Sequence, residues 1–516
     1  MTSTSSQEDW HLGESTTGIR IHFGYGIALI LIIAIFSVRF VGSSANTIFY
    51  DEAVNITLGW EAVSGDFSQD ATSWIFGSYL YPMVAGTIHH FVGDFGLRFF
   101  TVSLNTIAVV FVFFLTLNLF DHRSALWAML LFGLNGANVS LGQLAVYDSL
   151  GLPLMAIAFY CTIQAGLVEP EKTNRYLFLA GVALGLSILA KYIGLLFLPA
   201  LFLVTILHFY WYGRSLKPVF LIFFPLTLLI LGGYFLWNQE ALVSLWVQRE
   251  MLLFYPEEKW VIFRSYLAHA GVHLILAILG VLLLPSYQNP IMPVVSPKLK
   301  GFLFTFLGLA TVVAAYQVFT ENIQSLWKHA AYSTIFFAPF AGFGVSRLMA
   351  KGQHIFGRGN GDIPYRLLYT FLSIISVVLF IEYGLAQNWG LLHSWPNLSG
   401  ANAYLQSQPL SLETRILAEE SAVYEYYNDF GANDRDVWSN TFYMEYREYK
   451  GVDAMVAGIR DHYFDIVILD DYYTQETNEH IRKALAEHNY RRVYQDPDPQ
   501  VLSTGQVITV TVYRSP

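Results

Sequence analysis

Seven side chains in this sequence have the types and positions to do chemistry together: Asp51, Glu52, Asp148, Lys191, Arg264, Lys328 and His329. They stand at the ends of long apolar runs, where a charge is tolerated only near the water interface or beside an opposite charge. A carboxylate held there can take the proton from an attacking acceptor hydroxyl. Lys191 lies between two strongly apolar stretches. Such a lysine either snorkels or meets an anion, and at that depth the anion to hand is a lipid phosphate. Plainer readings stand beside these. Asp51-Glu52 opens a helical pattern and suits an N-cap and first-turn acids, and Asp148 suits a tight polar turn at 145–150. Trp260 and Trp327, which flank the later cations, suit an interface belt.

The elements that must position these residues follow from composition. Of 516 residues 54% are hydrophobic and 13% charged, against about 25% charged in ordinary globular domains. Mean hydropathy is +0.43, which places the chain in a membrane. A net charge of -10 without a basic tract excludes nucleic acid as a partner. At about 20 residues per crossing, apolar runs near 23–44, 98–120, 124–143, 150–168, 176–190, 192–212, 218–237, 266–285, 301–319, 330–349 and 367–386 predict eleven spans. As one helix, 176–213 would extend about 57 Å against a hydrocarbon core of about 30 Å, so the run is split at Lys191. With the N-terminus in the cytoplasm, twelve Lys and Arg fall on inner loops and seven on outer ones, the arrangement the positive-inside rule favours. An odd span count then puts the C-terminus outside, in a multi-pass protein of the plasma (inner) membrane.

The first outer loop, 45–97, carries Asp51, Glu52, Glu61, Asp66, Asp70 and Asp94. Tyr50, Val54, Leu58 and Ala62 share one helical face, and Gly65 offers a C-cap, so an amphipathic helix on the outer membrane surface is expected. Residues 1–386 form the membrane body, 387–408 a polar linker, and 409–516 a soluble domain with 10 Lys+Arg against 19 Asp+Glu. Its pattern predicts strands at 414–418, 464–469, 490–494 and 507–513 and helices at 423–429, 452–461 and 478–488, hence a C-terminal α/β domain. Asp470-Asp471 at a strand end suits a ligand, a metal or simple solvation.

Four segments in order resemble a known family. Asp51-Glu52-Ala53 with the helix to Gly65 and Gly77-Ser78-Tyr79-Leu80-Tyr81-Pro82, then Gly96-Leu97-Arg98, resembles the first outer loop of GT-C-fold glycosyltransferases. The group in question is family-39-like: the protein O-mannosyltransferases and lipid A aminoarabinose transferases. The segment 145–165 is similar to the family's second aspartate turn, 180–192 to its "GxxxGL…K(Y/F)" helix pair, and 327–348 to its late "RY…P" segment. The chain departs where the family has His-Pro-Pro (78–82 here) and a late arginine (Lys328-His329-Ala330 here). The resemblance spans about residues 20–350. It implies transfer of a sugar from a polyprenyl-phosphate-linked donor to a protein, glycan or lipid acceptor on the extracytoplasmic face, with inversion. Asp51 would be the base, and Glu52 and Asp148 would orient the acceptor or hold a cation. Lys191 would neutralise the departing phosphate, with Arg264, Lys328 or His329 as further candidates. A divalent cation between carboxylate and phosphate is compatible with this set, although no dedicated metal site is legible. The alternative, a transporter or flippase of lipid-linked sugars, calls for midplane charges and internal repeats, and neither is legible.

Overall fold

The computed structural model describes residues 14–65, 67, 77–239, 243, 257–284, 297–357, 363–428, 437–441 and 444–516. Asp66 and Asp70 of the first outer loop lie outside these. In lipid every backbone N–H and C=O must pair internally, so each apolar run closes its hydrogen bonds as a helix. Among the described residues nine helices are long and apolar enough to cross a membrane, and two bent pairs raise the count to 11. The expected eleven spans are accounted for. His122–Gly133 meets Gly136–Gln143 at 64°, and the bend has a local cause: the Asn135 side chain accepts from Asn138 N (3.2 Å) and starts the second helix afresh. At the other split, the helix Pro170–Ala190 ends where Lys191 is extended (φ -148°, ψ 117°), and a 3₁₀ turn, Tyr192–Phe197, precedes Leu198–Trp211.

Three helices frame the end of the body that carries the C-terminal domain: α1 (Glu14–Gly42), α2 (Tyr50–Val63) and α3 (Leu80–Leu119). Helix α3 starts 18 residues before the expected span, and Gly93 (φ 69°) breaks its line. Hydropathy registers only the part of such a helix that meets lipid; the outer part, before Gly93, covers α2 instead. A Cβ at Gly59 of α2 would overlap the Pro82 carbonyl, and one at Gly86 of α3 would overlap the Trp60 backbone. The two helices therefore touch backbone to backbone. Helix α2 does form, and protein covers much of it. Its residues Glu52, Ala53, Val54, Asn55 and Ile56 are buried, because the C-terminal domain closes over the side that α3 leaves open.

That domain is a five-stranded sheet of order β2-β1-β5-β9-β6. Strands β1 (Ile416–Ala418), β2 (Trp438–Asn440) and β5 (Ile466–Leu469) run parallel, while β9 (Thr511–Arg514) and β6 (Arg491–Gln495) are antiparallel additions. Every residue of β1 and β5 is buried, as expected of unbroken apolar strands covered on both faces. Polar, three-residue β2 has no signature in the sequence. The stretch 387–408, read as a linker, holds the end of the last long helix, Ile363–Leu392, and a further helix, Ser399–Gln406. One apolar cluster unites Ile48, Ala53, Val54 and Ile56 of the outer loop with Ile416, Ala418, Ile466 and Val512 of the sheet. Membrane body and domain thus share a core.

Candidate active site

Adjacent residues on a helix point about 100° apart, and Asp51 and Glu52 use that angle to serve different partners. Glu52 turns inward and is fully buried. Its carboxylate accepts both terminal nitrogens of Arg98 and the backbone N–H of Ala145, and reaches back to Phe49 N at 3.0 Å. Arg98 also donates to the Gln143 carbonyl (2.6 Å). One carboxylate thus closes the start of α2 and ties it to the turn before Asp148. Glu52 is engaged on all sides and serves as an anchor. Arg98, which the sequence reading quoted only as part of a motif, is the other half of that anchor; a single arginine at the outer end of an apolar run was its signal.

Asp51 turns the other way and pairs with the Lys328 ammonium. Lys328 sits in the first turn of the helix Leu326–Gly357, and its side chain is 3% exposed against 25% for Asp51. The rings of Phe49 (4.7 Å) and Trp327 (5.7 Å) flank the ammonium, replacing part of its lost hydration. Lys191 is buried with its ammonium 5.6 Å from the Tyr147 ring. Asp148 and Asp51 are the carboxylates that act on it, and Lys328 the cation. The Lys191 break is held from outside, since Ser78 N donates to the Leu189 carbonyl (2.9 Å). Asp148 is buried at the start of the helix Asp148–Leu167 and its Oδ1 has no hydrogen-bond partner. His329 is buried beside Lys328, and its Nδ1 accepts from the Gln317 amide (3.2 Å); its proton is therefore on Nε2. The structure brings Asp51, Asp148, Lys191, Lys328 and His329 to one chamber and leaves Arg264 out. Arg264 is exposed on the helix Lys259–Leu283 and joins none of these contacts.

The roof of the chamber belongs to the C-terminal domain. Asn440 donates to the Tyr50 hydroxyl (3.3 Å) and to the Glu419 carbonyl (3.1 Å), linking β2 to α2. Glu419 and Glu420 follow β1. Glu419 accepts from the backbone N–H of Asp471 (3.1 Å), Tyr473 and Thr474 and from the Asn478 amide (2.9 Å), and so stitches the ends of β1 and β5 together. Glu420 is buried, with Asp51 among the charges that act on it. Burial, then Glu419 and Asp51, hold its carboxyl well above the usual carboxylate range. Nothing in the sequence marked Glu420, since an acid after an apolar strand looks like a solvated strand end. Asp471 meets Arg482 and Asn478 (2.9 Å), so it is engaged within the domain.

A divalent cation does not fit this set. Among the described residues no group of three or more His, Cys, Asp or Glu stands so as to hold one. Asp51 pairs with the Lys328 ammonium, and Asp148 and Asp51 both act on Lys191.

Helical body, long first outer loop and roofing α/β domain together can be compared with known proteins. Against the structure of ArnT from Cupriavidus metallidurans in the apo state the TM-score is 0.58 at 13% identity, over 95% of this chain and 98% of that one. The same protein bound to undecaprenyl phosphate gives 0.57 at 12%, over 94% and 98%. The chain has the GT-C fold. The oligosaccharyltransferase from Archaeoglobus fulgidus, in its complex with Zn and sulfate, gives 0.51 at 14%, over 92% and 72%. Residues 74–285 match the family described as dolichyl-phosphate-mannose-protein mannosyltransferase, a segment holding Arg98, Asp148, Lys191 and Arg264. No curated protein matches the chain. The resemblance to GT-C glycosyltransferases read from the residues is therefore borne out by structures and family alike.

Proposed function

We propose that this protein transfers a sugar from a polyprenyl-phosphate-linked donor to an acceptor hydroxyl or amide at the outer face of the membrane. The observation that carries the reading is one cluster in which the Asp51 carboxylate pairs with buried Lys328 and interacts with buried Lys191, both at the ends of spans. The glycosyltransferase family match and a structural neighbour solved with undecaprenyl phosphate support the donor class. Lys191 and Lys328, with the His329 Nε2–H, hold the donor phosphate, and Asp51 takes the acceptor proton. The acceptor oxygen or nitrogen bonds to the anomeric carbon, the carbon–phosphate oxygen bond breaks, and polyprenyl phosphate leaves with the electron pair. That group leaves well once its charge is balanced, so preorganised cations matter more than an acid. As phosphate draws Lys328 away, the Asp51 carboxylate loses its counter-ion and becomes a stronger base at the moment it is needed. Entry from the opposite side gives inversion. The excess of inner-loop Lys and Arg supports a cytoplasmic N-terminus and an extracytoplasmic C-terminal domain in a plasma (inner) membrane.

The test is consumption of a panel of radiolabelled polyprenyl-phosphate sugars by the purified, lipid-reconstituted protein and by Asp51→Asn. The wild type should release polyprenyl phosphate from one donor, and the variant should lose 10²–10⁴-fold of that rate, about the contribution of a positioned base. A folded variant that turns over like the wild type removes Asp51 from the chemistry.

A further inference from the structure

Glu420 sits at the carboxyl end of β1, a strand with parallel neighbours on both sides, β2 and β5. In open α/β sheets that end is where ligands bind, because diverging connections leave a crevice there. Here that end faces α2, since Asn440 of β2 bonds the Tyr50 hydroxyl. Its two adjacent acids are treated in opposite ways. Glu419 is saturated by backbone and amide donors. Glu420 is 2% exposed, and among the described residues its Oε1 has no hydrogen-bond partner. An orphaned acceptor in so dry a place is a cost the fold ordinarily avoids. Its field reaches Tyr50 and Asp51 of α2 as well as Tyr424, Asp470, Tyr472 and Tyr473 of the domain, so it stands where the end of the sheet meets α2.

Resting on the sugar-transfer reading, we infer that Glu420 is an acceptor-binding residue: its free oxygen takes a hydrogen bond from a hydroxyl or N–H that flanks the attacking atom, while Asp51 takes the proton. The placement of the charges selects the acceptor over the donor. Both lysines suited to the phosphate come from the membrane body, and Glu420 comes from the C-terminal domain packed on the other side of α2 from α3. A nucleophile that enters opposite the leaving group therefore arrives on the side that Glu420 roofs. The C-terminal domain is then the half of the site that reads what is glycosylated.

Steady-state transfer by wild type, Glu420→Ala and Glu420→Gln tests this. The acceptor probe is whichever of a Ser/Thr peptide, a methyl glycoside and a glycolipid the wild type uses fastest. Glu420→Ala should raise the acceptor KM about 10–100-fold, as for loss of one strong hydrogen bond. The donor KM should stay within about twofold, since the donor does not use that oxygen. Glu420→Gln keeps an acceptor oxygen and should recover part of the affinity. An unchanged acceptor KM, or a donor KM that rises in step with it, overturns the inference alone. A wild type that consumes no donor overturns the sugar-transfer reading and this inference with it. If Glu420→Ala does not fold, the Gln variant decides: it must discriminate less than the wild type against an acceptor lacking the flanking hydroxyl or N–H, and equal discrimination overturns the proposal.

Discussion

Removing Asp51 perturbs both chemistry and fold, and the structure lets the two be separated. Asp51→Asn leaves the Lys328 ammonium, 3% exposed, without its counter-ion. Breaking a buried pair from one side costs about 3–5 kcal/mol. The rings of Phe49 and Trp327 stay in place at 4.7 and 5.7 Å, each returning about 0.5–1 kcal/mol. A loss of about 2–3 kcal/mol is therefore expected. Lys328→Met strands a carboxylate that keeps a quarter of its surface in water and should cost less, about 1–2 kcal/mol. The double variant strands nothing and should lie within about 1 kcal/mol of the wild type, a coupling of about 2–5 kcal/mol in a regime where unlinked sites add to within about 0.5. The assay is equilibrium unfolding in mixed micelles for all four proteins, with donor turnover measured on the same samples. Stability should return in the double variant while turnover stays down. Simple additivity would refute the pair, and recovery of turnover along with stability would refute Asp51 as the base.

Three further outcomes follow from the packing. Arg98→Lys cannot reproduce the two-pronged grip on Glu52 and the bond to Gln143 at once; it should cost about 2–3 kcal/mol and lower kcat by displacing Asp51, and an unchanged kcat would show that α2 is held by other means. Gly59→Ala drives a Cβ into the Pro82 carbonyl, whereas Gly26→Ala meets nothing within 4 Å; the first should lose about 1–3 kcal/mol and much of the activity, the second neither, as unfolding and turnover will report. Because the fold raises the Glu420 pKa, it favours the neutral acid, so wild-type stability is full below the ordinary carboxyl range and falls as pH rises through it. Glu420→Gln should accordingly match the wild-type thermal midpoint near pH 4 and exceed it increasingly up to about pH 7, and a difference independent of pH would show that the carboxyl is not buried as described.

The spans were legible because lipid leaves an apolar run no option but a helix, and hydropathy reads that directly. Lys191 was legible for the same reason, as a charge where none is tolerated without purpose. What could not be read is pairing across distance. Nothing near Asp51 announces Lys328, and nothing in Asp51-Glu52 says which acid faces the chamber, since that depends on how α2 is rotated between α3 and the sheet. The cover over α2 was hidden for a related reason: an apolar stripe looks the same whether lipid or a folded domain packs against it. Glu420 was invisible because burial beyond a strand end is a tertiary fact. Arg264 shows the converse, a cation that sits where its neighbours do in sequence yet points away in space.

The Asp51–Lys328 pair joins residues 277 positions apart. At synthesis rates of about 5–20 residues per second, Asp51 emerges roughly 14–55 s before its partner exists, and the roof comes later still. Throughout that interval the growing chain carries the carboxylate without Lys328, and Lys191 follows Asp51 by 140 positions, about halfway through it. A half-made protein thereby lacks the completed cluster, because the cover over α2 forms only when the final domain docks. Arrival of β9, which closes the sheet between β5 and β6, is the last step in building that cover.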